Sequence, residues 1–345
     1  MTRARLLVGI MVLGLTVAGV AAQRGPGIPP TGTIKNVRDN LYVIPGQGSN
    51  TTVFVTSTGV VLVDTKLANN GEPILKQVRS VTDKPVTMII NTHTHPDHNG
   101  SNDYFKTGGA KVEIVTHENT AKWVAANPRS NPAMTPDRTF ADRTTLGKDK
   151  DRIDLYYFGA GHTNGDAFVV FPSVRAMCVG DLMAWNMAPL IDPATGGSVI
   201  ALPDTLEKAV KGIRNVDLVI EGHGNVNTWA GFRAYAEFNR ALLTAAKGAL
   251  SRGETPEQAL TALTKDTKFA VFLREALLPE LEYGGTPKSR ALINLNVAFQ
   301  ELKGEPVTTN FGPPRGGGAP GRGRGAAPAP GSGPSPAPVP PAPDK

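Results

Sequence analysis

Apolar residues fall in short blocks along the first two thirds of the chain, each block ending in glycine, proline or a polar cluster. Residues 41–44 (LYVI) read as a strand. Residues 51–56 and 60–63 flank Ser57-Thr58-Gly59 and predict a hairpin, with Asp64 closing its second strand. Between 71 and 80 the apolar positions Ile74, Leu75 and Val78, with Pro73 in the first turn, predict a short amphipathic helix. A strand over 86–90 runs straight into a polar loop. A further strand over 112–115 and a helix over 118–126 follow. Residues 128–147 are polar and punctuated by proline, which predicts a long loop of the kind that borders a site. Strands resume at 153–158, 167–171 and 174–179, then a helix over 206–213 with Asp204 as its cap, and a last strand at 218–220. Strands followed by helix therefore occur twice. From Trp229 the period changes: 229–250, 256–263 and 287–302 are all helical, and Thr255-Pro256 and Thr286-Pro287 each set a cap residue before a first-turn proline.

The two ends differ from the body. Arg3 and Arg5 precede an apolar run from Leu6 to Ala22 that finishes on small residues, the layout of a secretory signal removed after residue 22. An uncleaved anchor is the alternative, since about 17–25 apolar residues span a bilayer. From Gly312 the chain is almost free of large apolar side chains, so it predicts a disordered tail over 312–345. The ends also carry most of the formal net charge of +6, which leaves the body near neutrality. That removes the electrostatic footprint a nucleic-acid partner requires. Cys178, the only cysteine, has no intrachain partner and sits in an apolar run, so it reads as a small buried hydrophobe.

Candidate chemistry gathers where the strands end. The chain has six histidines, and three of them lie in NTHTHPDHNG, directly after the strand at 86–90. His162 and His223 each sit between small polar and glycine residues after apolar runs, in GAGHTNGD and EGHG, and Asp181 follows Gly180 after another. His93 and His95 are two apart and project to one side of an extended segment. Asp97 and His98, past the proline, turn toward a neighbouring position. Imidazole with carboxylate suits zinc, with iron or manganese as alternatives. The count gives His93, His95 and His162 for one ion, Asp97, His98 and His223 for a second, and Asp181 between them. Two zinc ions about 3.5–4 Å apart bring the pKa of a shared water down to roughly 7 and polarise a carbonyl. Asp97 is then the group that holds that water in line or moves its proton. Asp64 reads either as a helix cap or as a carboxylate orienting a ligand histidine. Thr163 and Asn164 read as supports of the same kind or as turn formers. His117 lies outside the pattern, with a structural or pocket-rim role.

These residues together resemble the metallo-β-lactamase superfamily: Asp64 in VVLVDTK, the THTHPDH segment, GAGHTNGD, VGD at Asp181 and EGHG at His223. The resemblance implies an α+β fold, a four-layer αββα sandwich over residues 23–227 with the dinuclear site along one edge; the helical periodicity past Trp229 adds a helical extension over 228–311. It implies hydrolysis of β-lactams, lactones, thioesters, or phospho- and sulfo-esters. Asp181 stands where some β-lactamases carry a cysteine ligand, and is more similar to the bridging aspartate of the glyoxalase II and lactonase-like branches.

The reading that results is an exported, periplasmic or extracellular, two-zinc hydrolase of a small-molecule substrate, without nucleic acid and without stable membrane insertion once the signal is cleaved. A mononuclear iron oxidoreductase, and an exported metal-binding protein without turnover, stay open beside it. Specificity falls to the loops 128–147 and 183–202, the second containing Trp185 and Met187, which either line an apolar pocket or pack the loop.

Overall fold

The structure is a computed structural model that describes residues 31–108, 111–126, 134–275 and 286–307. The N-terminal segment 1–22 and the tail 312–345 lie outside the described residues. Among those described, no helix is long and apolar enough to cross a membrane.

Seven strands form the first sheet, in chain order: β1 (Lys35–Arg38), β2 (Leu41–Ile44), β3 (Thr51–Val55), β4 (Val60–Val63), β5 (Val86–Ile90), β6 (Glu113–His117) and β7 (Arg138–Phe140). The first four pair antiparallel, and β4 through β7 pair parallel. Parallel strands need crossovers, which here contain α1 (Gly71–Arg79), the one-turn α2 (Pro96–Asn99), α3 (Asn102–Thr107) and α4 (Glu118–Ala126). All four residues of β4 are buried, as a strand covered on both faces demands.

The second sheet holds β8 (Arg143–Leu146), β9 (Ile153–Tyr156), β10 (Phe168–Phe171), β11 (Ala176–Cys178), β12 (Leu218–Ile220) and β13 (Val226–Thr228). Its order is β13-β12-β11-β10-β9-β8, with β11 and β12 parallel and the remaining pairs antiparallel. The crossover between β11 and β12 contains α5 (Leu202–Gly212).

Three apolar clusters define four layers. Phe54, Val63, Ile90, Leu155, Val169 and Phe171 fill the space between the sheets. Leu62 and Ile89 of the first sheet bury their outer face against Ile74, Val78 and Phe105 of α1 and α3. Phe168, Met177 and Val219 of the second sheet pack outward on α5 and on α6 (Trp229–Ser251). The same outer cluster continues through α7 (Pro256–Leu263) and α8 (Pro287–Lys303), including Leu260, Leu295 and Phe299. The fold is thus an α+β sandwich with a C-terminal helical part that shares its core.

Two local expectations change. The stretch 128–147 contains two strands, β7 and β8, one in each sheet. Both are at sheet edges and leave polar side chains exposed, so they carry no apolar signature. Asp204 does not cap α5, whose N-cap position is Ala201. It sits in the first turn and pairs with Arg240 of α6. Thr255 and Thr286 do cap α7 and α8, each in a reciprocal capping box with the residue three positions on.

Candidate metal centre

Each cluster residue sits just beyond a strand end. After β5, Asn91 and Asn102 bond side chain to side chain, so the chain turns at once. His93 follows, and His95 takes the N-cap position of α2 with Pro96 at its first turn. One helical turn then carries Asp97 and His98 to the other side of His93. His162 lies in the connection from β9 to β10, Asp181 directly after β11, and His223 after β12. Both sheets therefore supply groups to one edge of the sandwich.

The groups meet at close range. His95 Nδ1 and His162 Nε2 are 2.9 Å apart, and the rings of His93 and His162 are centred 4.7 Å apart. On the other side, His223 Nε2 lies 3.3 Å from Asp97 Oδ2 and 3.3 Å from Asp181 Oδ1. His98 Nε2 is 3.2 Å from Asp181 Oδ1 and 3.8 Å from Asp97 Oδ2. Asp181 spans the two groups, because its Oδ2 is 3.7 Å from His162 Nε2. Three sets of ligand atoms fall within 4.8 Å of one another: His93, His95 and His162; His93, His98 and Asp181; Asp97, His98 and His223.

A cation fits this donor set. His93 Nε2 is buried without a hydrogen-bond partner, and His98 Nε2 and Asp181 Oδ1 face one another at 3.2 Å without a well-aligned hydrogen bond. A buried polar atom left so costs about 1–3 kcal/mol unless something satisfies it. Nitrogens bound 2.0–2.1 Å from a tetrahedral zinc stand roughly 3.3 Å apart, close to the spacing seen. The charges agree. Burial holds His93 far below the usual histidine value, with His98 and His162 adding to the effect. Burial, reinforced by His95, brings His162 down to about 4. Burial works against the Asp181 charge, but His223 and His98 outweigh it and hold the carboxyl well below its usual range. Burial opposes protonation of His98 and His223 too, but Asp181 outweighs it and raises both, His223 to about 9. Since neutral imidazoles and ionised carboxylates are the forms that ligate, a metal taken up at neutral pH displaces protons there.

The surroundings fix these groups. Asp64 Oδ2 lies 2.7 Å from His98 Nδ1, and Asp64 also accepts from the amide and hydroxyl of Thr92; it caps no helix. Lys66 is fully buried, and its Nζ donates to the carbonyls of Ile44, Gly46 and Ser49. That fixes the loop whose Ser49 amide donates to the carbonyl of Asp97. Gly48 in this loop has φ +93°, and a Cβ there would stand 2.8 Å from Asp97 Cβ. A Cβ on Gly222 would come within 1.9 Å of Asp181 Oδ1, so only glycine lets the carboxylate lie there.

The remaining predicted residues bond elsewhere. Thr163 donates its amide and hydroxyl to Asp166. Asn164 accepts from Trp123 Nε1 and, through its carbonyl, from Asn119 and Tyr157. Both shape the turn that carries His162. His117 stacks on Tyr157, with ring centres 3.8 Å apart, outside the three ligand sets. Trp185 stacks on His223 at 4.4 Å, while Met187 is buried. Sequence reasoning missed Asp192, whose Oδ2 lies 2.8 Å from His95 Nε2, and the Leu190 carbonyl 2.5 Å from His162 Nδ1. Asp192 lies in an Asp-Pro turn, where a local cap role hides its reach to a residue 97 positions away. Glu221, two residues before His223, accepts from the Asn186 amide and from Asn227; its place in EGHG was the available signal.

Fold and cluster together define an αββα sandwich built to hold divalent metal on its edge. The family model described as the metallo-beta-lactamase superfamily matches residues 44–223, and the chain belongs to that family. It is 27% identical to the metallo-beta-lactamase type 2 of Elizabethkingia meningoseptica over 227 residues, 62% of this chain and 86% of that protein. A metallo-beta-lactamase type 2 of Bacillus cereus is 26% identical over 235 residues, 64% of this chain and 90% of the other. The solved metallo-beta-lactamase from Pontibacter korlensis superposes with a TM-score of 0.53 at 22% identity, covering 60% of this chain and 98% of that one. Family and cluster make the chain a metal-dependent hydrolase at the level of the superfamily.

Proposed function

We propose that the protein is a two-zinc hydrolase that cleaves the carbonyl–heteroatom bond of a small amide, ester or thioester, of the β-lactam, lactone or thioester type. The observation that carries this reading is the meeting of buried ligand atoms from both sheets around Asp181. His93, His95 and His162 would hold one ion, and Asp97, His98 and His223 the other, with Asp181 shared. Bound there, divalent zinc supplies a water with a pKa near 7 and a Lewis acid for the substrate carbonyl.

The chain's own groups do the remaining work. His98 and His223 hold the Asp97 carboxyl in its ionised form despite its burial. Its Oδ2 then accepts a hydrogen bond from the attacking water and passes the proton to the leaving group. His95 and His162 are oriented through their other ring nitrogens, by Asp192 and by the Leu190 carbonyl. Trp185, stacked on His223, would offer a bound substrate an apolar surface beside the centre. The N-terminal segment supports export to the periplasm or beyond, where a small-molecule substrate would be met.

The relatives do not share one printed activity: a further one, 29% identical over 170 residues, is 2,4-dinitroanisole O-demethylase subunit alpha of Nocardioides. The test is therefore metal analysis of the purified protein with assays on a β-lactam, a lactone, a thioester, a phosphodiester and an aryl methyl ether. About two zinc ions per chain and turnover of a carbonyl substrate are expected. Asp181→Ala should lose one ion and most activity, and His117→Ala should keep both ions. One iron per chain, or two ions in Asp181→Ala, would overturn the reading.

A further inference from the structure

The segment from Met183 to Leu202 contains none of the seven cluster residues, yet it touches three of them. Trp185 stacks on His223, the Leu190 carbonyl faces His162 Nδ1, and Asp192 faces His95 Nε2. Backbone bonds also tie it to the His162 turn. The Asp192 amide donates to the His162 carbonyl, the Asn164 amide to the Thr195 carbonyl, and the Ser198 amide to the Gly161 carbonyl.

The segment is held at both ends from the C-terminal part of the chain. At one end, Arg274 donates from Nη2 to the Trp185 carbonyl at 3.2 Å and from Nη1 to the Asn186 carbonyl at 3.3 Å. Trp185 and Asn186 both have left-handed backbones, at φ +51° and +52°, a conformation that a bulky tryptophan keeps only when its surroundings impose it. At the other end, the Glu301 carboxylate of α8 accepts from the Ser198 hydroxyl at 2.7 Å, the Val199 amide at 2.9 Å and the Ile200 amide at 3.1 Å.

We propose that Arg274 and Glu301 are positioning residues of the metal centre, and that the helical part past residue 228 works as a clamp on it. The clamp pins segment 183–202, which in turn fixes the rings of His95, His162 and His223. A planar guanidinium that spans two successive carbonyls locks the Trp185–Asn186 turn, and one carboxylate gathers three donors at the opposite end. The inference rests on the reading of the cluster as a metal site.

The experiment uses the metal-free full chain titrated with cobalt(II) against a competing chelator, followed by visible absorption. Hydrogen exchange is measured on the same metal-free samples. Arg274→Ala and Glu301→Ala are each expected to weaken cobalt binding roughly 10–100-fold, to shift the absorption band, and to speed exchange within 183–202. Arg274→Lys and Glu301→Gln, which keep part of the hydrogen bonding, should fall between these and the wild type. Arg252→Ala, which breaks an exposed pair with Glu254 in the turn between α6 and α7, should match the wild type. If Arg274→Ala and Glu301→Ala bind cobalt like the wild type, or if faster exchange spreads through both sheets, the clamp is refuted while the metal site stands. If the wild type itself takes up no cobalt, the metal reading falls and the clamp falls with it.

Discussion

At Asp64 one side chain satisfies a backbone amide, a hydroxyl and a buried imidazole. Its backbone is left-handed, with φ +61°. Asparagine tolerates that conformation and alanine resists it, so Asp64→Asn removes the charge with little backbone strain. The introduced amide would present hydrogens to Thr92 and His98. The expected result is about 10–100-fold weaker zinc binding, read by chelator competition, with overall helix content retained. Cys178 gives a second test at this scale. Burial pushes its thiol up to about 12, so the thiolate is scarce and shielded. A thiol reagent should leave the native protein unlabelled and react with the one cysteine only as denaturant unfolds the chain.

Elements separate what the sequence announces from what it hides. The inner strands β4, β5 and β10 are short apolar runs and could be read directly, as could the proline-led starts of α7 and α8. Each of those two caps should contribute about 1 kcal/mol, so Thr286→Ala should lower stability by that amount in a denaturant titration, with an unchanged slope. The edge strands β7 and β8 were hidden because their pairing is a matter of backbone, and their side chains stay polar and exposed. The cluster histidines were legible because several lie together and the others stand beside glycine after apolar strands. Asp192, Arg274 and Glu301 were not. Each looks like an ordinary surface charge in its own neighbourhood, and its partner lies roughly a hundred positions away. Contacts of that separation come from tertiary packing, which local pattern does not encode.

On the scale of the whole molecule, the centre joins the two sheets, so ion binding and folding are linked. A ligand that binds only the folded chain stabilises it by about 2.7 kcal/mol at a hundred times its Kd. For a chain of this size, each zinc ion at that excess should raise the Tm of the metal-free protein by roughly 4–5 °C. Asp181→Ala should show a smaller rise in the same calorimetric scan.

The split origin of the donors also bears on biogenesis. His93, His95, Asp97 and His98 follow β5, whereas His162, Asp181 and His223 come from connections of the other sheet. As the chain leaves the ribosome, residues up to about 120 offer an incomplete nest. The rest arrives only after another hundred residues have been made and docked. Tight ion capture must therefore be among the last events of maturation, and a loaded centre certifies that both halves have met in register.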